Sequence, residues 1–288
     1  MKKSIIFITA IAAFTFLLPA CKEIGPTINL KDNPNVVADT TYVETPVAAE
    51  TKNVVIEEFT GVQCTNCPDG HAIIATLKGT TYPGRICALA LHPMTPLGYP
   101  MQGISVTDLE DAQSNTLYGD YQGPFLPCGM IDRQLFSGQP VIPVDKTTWI
   151  TYTGQEIALT TPVNVLLSKT FDASNNSLTI TVELHYTQAV TQLNNLTVAL
   201  TESNIITAQK NGTLIDTFYV HNDVLRSIIT NTEGDNLTDS LQAGRVIRKI
   251  YKTVLNAAWK PANMNIIAFV REYQNSKVIY QGKEISVQ

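Results

Sequence analysis

Cys64 and Cys67, two thiols three positions apart, are the residues whose type and spacing most directly offer chemistry. A Cys-x-x-Cys pair closes a small disulfide ring, and its thiolate form attacks other disulfides. Ahead of it, Val54, Val55, Ile56 and Phe59 read as a buried strand. Residues 60–63, with Gly61 among them, make a short turn. After Pro68, the positions Ile73, Ile74 and Leu77 fall at helical spacing, and Gly79 suits a helix C-cap. The pair is therefore predicted where a central strand gives way to a helix. Unpaired N–H groups and the positive end of the helix dipole favour a thiolate there. In such settings a Cys pKa of about 8.5 falls to roughly 3.5–7.5. Cys64, at or near the N-cap and facing outward, is the expected nucleophile. Cys67, one turn inside, is expected to be less exposed and to close the disulfide.

This strand, turn, Cys-x-x-Cys and helix resemble a thioredoxin-fold active site. The resemblance implies that Glu58, six residues before Cys64, is a buried carboxylate that moves protons for Cys67. It also implies a cis-proline just before a strand beside the active-site strand. Pro127 matches that place, because strand-like residues follow it directly, and Pro124 is the weaker match. A cis Leu126–Pro127 bond is expected to lie against Cys64. Thr60 and Gln63 stand where thioredoxins carry tryptophan, which alters the docking surface beside the nucleophile. The strings EEFTG at 57–61 and CTNCPDGH at 64–71, with YVHNDVLR at 219–226, resemble more narrowly the outer membrane protein 28-related lipoproteins of Gram-negative bacteria. That resemblance covers nearly the whole mature chain and implies a cell-envelope location.

The chain starts with Lys2 and Lys3, then an uncharged apolar run from Ile5 to Leu18, too short to span a bilayer and suited to a signal peptide. Leu18-Pro19-Ala20-Cys21 is a lipobox, so residues 1–20 are expected to be removed and Cys21 lipidated. Each buried CH₂ of the acyl chains contributes about 0.8 kcal/mol, enough for several chains to anchor the protein to the outer membrane. Cleavage takes Lys2 and Lys3 from the 20 basic residues and none of the 25 acidic ones, leaving 18 against 25 and a net charge of −7. Such a chain is a poor partner for nucleic acid or anionic lipid.

Residues 21–51, with Pro26, Pro34 and Pro46, read as a tether, although residues 40–47 have the alternative of a short edge strand. Residues 85–92 are a second buried strand containing Cys87, taken as a small core residue. The loop from His92 to Ile104 is long enough to form a wall of the site. Thr107 and Glu110 make a capping box for a helix ending near Tyr118. Cys128 reads as a buried strand cysteine, with a third active-site thiol as the alternative. His71 reads as a surface helix residue. A zinc site from Cys64, Cys67, His71 and Cys128 lacks the second paired knuckle of structural zinc sites, so no metal or cofactor is expected.

From about Trp149 the pattern changes. Residues 177–186 alternate strictly, residues 163–171, 196–200, 264–272 and 277–287 supply further strands, and polar turns separate them. The expected architecture is an α/β thioredoxin-like domain at 52–147 followed by an all-β antiparallel sandwich at 148–288. His221 and Asp223 have no nucleophile near them in sequence and read as structural residues at a strand crossing. Two functions fit. In one, the thioredoxin-like scaffold holds a static Cys64–Cys67 bridge and the protein binds a partner or ligand at the cell envelope. In the other, it is a membrane-tethered thiol–disulfide oxidoreductase with a disulfide client. The altered docking surface and the large appended domain favour the first.

Overall fold

The computed structural model describes residues 33–288. The signal peptide at 1–20, Cys21 and the beginning of the tether lie outside the described residues. The described residues are mostly β, with three α-helices among them.

β1 (Val36–Val43) pairs antiparallel with the distant strand 245–254, so this part of the expected tether is an edge strand. It begins earlier than the 40–47 alternative. Val36 tucks into the core while the rest of the strand stays at the surface, which is why its sequence shows little apolar periodicity.

β2 (Val54–Phe59) is buried at every residue. It sits between β3 (Ile86–Leu91), parallel, and β4 (Cys128–Ile131), antiparallel, so it is a central strand. Val54 and Ile56 face one apolar cluster and Val55 and Phe59 another. The first cluster is closed by α1 (Cys67–Thr76) and α3 (Trp149–Glu156). α1 does not stop at Gly79: residues Leu77–Thr81 continue it as a π-turn, in which the Tyr82 N–H donates to the Leu77 carbonyl at 2.8 Å. α2 (Ala112–Asp120) starts later than the capping box at Thr107 predicts. Asp111 caps it, accepting from Ser114 N at 2.7 Å, and the Thr107 N–H is held by the Thr207 hydroxyl instead. β5 (Val144–Asp145) closes this edge against β4.

The remaining strands are β6 (Val163–Asp172), β7 (Ser177–Tyr186), β8 (Asn194–Glu202), β9 (Ile205–Ile206), β10 (Gln209–Asn211), β11 (Leu214–Asp216), β12 (Val220–His221), β13 (Val224–Ile228), β14 (Asp235–Leu237), β15 (Arg245–Val254), β16 (Met264–Glu272) and β17 (Ile279–Ser286). One sheet runs β1-β15-β7-β6; the larger runs β17-β16-β8-β13-β3-β2-β4-β5 with β14 on β8. Leu178, Ile180, Val182 and Leu184 of the first sheet meet Leu196, Val198, Leu200 and Ile266 of the second in one core.

The larger sheet joins strands from both sides of residue 147, through β13 beside β3 at Val224 and Ala90. The boundary expected there does not interrupt it. Trp149, where the sequence pattern changes, packs with Val54 and Ile56, and its indole N–H donates to the Val144 carbonyl.

On the far face of β2, Glu57 receives both Nε and Nη2 of the fully buried Arg133, at 2.7 and 2.6 Å. Arg133 Nη1 donates to the Tyr121 hydroxyl at 2.7 Å and lies 3.3 Å from Glu233, which also takes Arg271. A second buried group joins Lys52 to Asp132 and Glu156 at 2.9 and 2.7 Å. Burial holds the Asp132 carboxyl up at about 7 despite Lys52 beside it.

Candidate functional site at the cysteine pair

Cys64 and Cys67 form a disulfide with a Cα–Cα distance of 5.4 Å. Cys67 is the first residue of α1 and Asn66 its N-cap, so Cys64 precedes the cap rather than occupying it. Cys64 is only 3 % exposed and Cys67 0 %, so the outer cysteine is not openly outward-facing as expected. The reason lies far along the chain. Gln209 Nε2 donates to the carbonyls of Cys64 at 2.9 Å and Gly61 at 3.2 Å. Lys210 N donates to Val62 and Gly212 N to Thr65. The β10–β11 hairpin thus clasps the whole 61–65 turn. From the other side, Gln63 N donates to the Leu97 carbonyl, and a Cβ on Gly61 would stand 2.5 Å from that same oxygen. The 92–104 loop is a wall of the site, and glycine at 61 is what lets it approach.

Glu58 projects from β2 toward α1. A Cβ on Gly70 would come within 2.5 Å of its Oε1, so α1 rests directly on this carboxyl. Glu58 is 1 % exposed and its Oε1 has no hydrogen-bond partner. Burial, reinforced by the charge of Asp223, raises its pKa well above the usual carboxylate range, so the protonated form is favoured.

His71 is not a free surface residue. Its Nε2 lies 2.9 Å from Thr60 Oγ1 and 3.7 Å from Glu58 Oε1, and its Nδ1 lies 2.7 Å from the Tyr219 hydroxyl. His221 lies edge-on to His71, Tyr219 and His92, so three of the chain's four histidines meet around it. Burial, followed by the neighbouring His221, pushes the His71 pKa down to about 3, and burial takes His221 to about 4, so both rings are neutral. Glu58, Pro68, His71, Tyr219 and Asp223 line a cavity of about 210 Å³. Asp223 itself is engaged by Lys78 at 2.7 Å.

The Leu126–Pro127 peptide is cis and leads into β4, whose Cys128 pairs with Phe59 of β2. Cys87 and Cys128 are free and buried, and burial pushes the Cys128 thiol up to about 12, so it stays protonated. Among the described residues no group of three or more His, Cys, Asp or Glu is arranged to hold a metal ion, and no helix is long and apolar enough to cross a membrane. Gln209 and Tyr219 are the residues sequence reading missed as parts of the site. The YVHNDVLR string was the available signal, since Tyr219, His221 and Asp223 all come from it.

Fold and site together define a β-rich protein that carries a Cys-x-x-Cys disulfide at a helix start, over a buried carboxyl. Residues 114–286 match the family described as outer membrane protein Omp28. That match spans more than half the chain, which belongs to this family of outer membrane proteins; the cysteine pair lies ahead of the matched segment. In structure the chain is similar to HBP35 of Porphyromonas gingivalis, with a TM-score of 0.63 and 19 % identity over 83 % of this chain and 76 % of that one. It is also similar to a domain of the outer membrane lipoprotein Omp28 from Porphyromonas gingivalis, with a TM-score of 0.30 and 18 % identity over 44 % of this chain and 88 % of that one. No curated protein matches the chain.

Proposed function

We propose that this envelope protein is a lipid-anchored thiol–disulfide oxidoreductase, with residues 52–147 as a thioredoxin-like module joined to a β-sandwich. The observation that carries the reading is the Cys64–Cys67 disulfide at the start of α1, over the buried Glu58 carboxyl. In the reduced state, Cys64 Sγ attacks a client disulfide and one client sulfur leaves as a thiol. Cys67 then gives its proton to the Glu58 carboxylate, its sulfur attacks Cys64 Sγ, and the second client sulfur leaves, taking a proton from water. The client gains two electrons and the Cys64–Cys67 pair loses them. Turnover needs an external dithiol to reduce the pair again. Pro127 ends a segment suited to pairing with an extended client beside the site.

Titrating the purified protein against glutathione redox ratios tests the reading. A pair that exchanges with clients is expected to poise near or above about −230 mV, and one poised below about −300 mV is a structural bridge.

The clasp on the 61–65 turn favours a second reading, in which the bridge is static and the same face holds a protein partner. Leu214 on the hairpin and Phe218 just beyond it are 72 % and 80 % exposed, an unusual investment of large apolar side chains.

Attachment through Cys21 is a separate proposal, supported by the lipobox. A Cys21→Ser variant is expected to move from the membrane fraction to the soluble fraction. Unchanged fractionation with membranes rejects lipidation at this residue.

A further inference from the structure

We propose that His71 and Tyr219 form a proton relay that connects the buried Glu58 carboxyl to solvent; the proposal rests on the exchange reading above. Glu58 has to gain and lose a proton in every cycle; it lies along the wall of the cavity, but its Oε1 is buried and has no hydrogen-bond partner. The group leading outward from it is the His71 ring, whose Nε2 is 3.7 Å away. A small side-chain shift or one bridging water closes that gap. On its other side the ring meets the Tyr219 hydroxyl at 2.7 Å, and Tyr219 is half-buried at the mouth of the 210 Å³ cavity. That cavity has room for several waters.

The chemistry of a neutral imidazole suits the task. One nitrogen accepts while the other donates, so the ring passes a proton by changing tautomer and never holds a net charge. The Glu58 proton moves to Nε2, the Nδ1 proton moves to the tyrosine oxygen, and the tyrosine proton moves to water. No electron is transferred, and Glu58 returns to the carboxylate that accepts from Cys67. Burial pushes the Tyr219 hydroxyl up to about 12 and His71 down, which keeps both relay groups neutral between transfers. The other titratable groups facing the ring are His221 beside it and, beyond that, His92 and the Asp223–Lys78 pair. Thr60 Oγ1, 2.9 Å from Nε2, holds the ring in place. His71 and Tyr219 act through Glu58 and are positioning residues.

The test uses the full chain, reduced and mixed with oxidised glutathione, with acid quenching to separate formation of the Cys64 mixed disulfide from its resolution by Cys67. Tyr219→Phe keeps the ring and its packing and removes only the hydroxyl. Resolution in that variant is expected to slow at least about tenfold, with the capture rate and the redox poise unchanged. His71→Gly is expected to show the same defect and to recover several-fold on addition of imidazole, which a purely structural loss would not do. His71→Ala, which also leaves room for imidazole, serves the same comparison if the glycine variant does not fold. Wild-type resolution rates in Tyr219→Phe, or a slow His71→Gly that imidazole does not restore, overturn the relay while leaving the exchange reading intact. A wild-type protein that reacts with no glutathione at all removes both.

Discussion

A Cys67→Ser variant is expected to accumulate mixed disulfides with envelope proteins, visible as high-mass bands that dithiothreitol removes, while Cys64→Ser is expected to trap none. The asymmetry follows from the geometry of the turn. Cys67 is the first residue of α1, fully buried, with α1 resting on Glu58 at Gly70. Cys64 precedes the cap and keeps the small exposure the pair has. A client sulfur therefore meets Cys64 first, and only a second thiol at 67 releases it. A serine hydroxyl at 67 is far too weak a nucleophile to replace that thiol. Glu58→Gln is expected to slow release of a captured client without preventing capture, since the amide cannot take the Cys67 proton. If Cys67→Ser gives no bands that Cys64→Ser lacks, and the purified protein reduces no disulfide, the pair is a clasp for the 61–65 turn. The partner-binding reading then stands.

The largest expected effect on stability belongs to Arg133. Its guanidinium is wholly buried and satisfied by Glu57, the Tyr121 hydroxyl and Glu233, with the Tyr121 ring 4.8 Å from its centre. Arg133→Ala leaves Glu57 as an unpaired carboxylate on the central strand, and it opens a cavity between β2 and β16. Breaking a buried pair from one side costs about 3–5 kcal/mol, and the midpoint of urea unfolding is expected to fall accordingly. Replacing Arg133 and Glu57 together by Met and Leu removes both charges and refills the space, so it is expected to recover most of that loss. A double variant no more stable than Arg133→Ala would mean that Arg133 stabilises by shape and not by pairing with Glu57. This prediction is independent of the redox chemistry, because Glu57 and Glu58 face opposite sides of the same strand.

That alternation marks the boundary of what the sequence discloses. The strand, helix and cysteine spacing around residues 54–77 were legible because each is set by neighbours within a turn or a strand length. The same holds for β7, whose apolar period of two reappears as strictly alternating burial. Local patterns also mislead where a distant group intervenes. The capping box at Thr107 does not start α2, because Thr207 holds its N–H. Gly79 does not end its helix, because the chain widens there into a π-turn that runs on to Thr81. β8 alternates in sequence yet is buried on both faces, since the sheet it belongs to is covered on both sides.

By itself, then, the sequence determined the Cys64–Cys67 spacing and the short strand and helix that carry the pair, and it named Glu58 as a candidate through resemblance. Only the tertiary structure decided what surrounds those residues. It brought Gln209 to the Cys64 carbonyl and Tyr219 to His71 across 145 and 148 positions, and it joined β13 to β3 in one sheet. The physical reason is that periodicity encodes which face of an element is buried, but not what buries it. Hydrogen bonds between residues so far apart leave no local pattern, and they exist only once chain closure has placed the hairpin on the cysteine turn and Tyr219 beside His71.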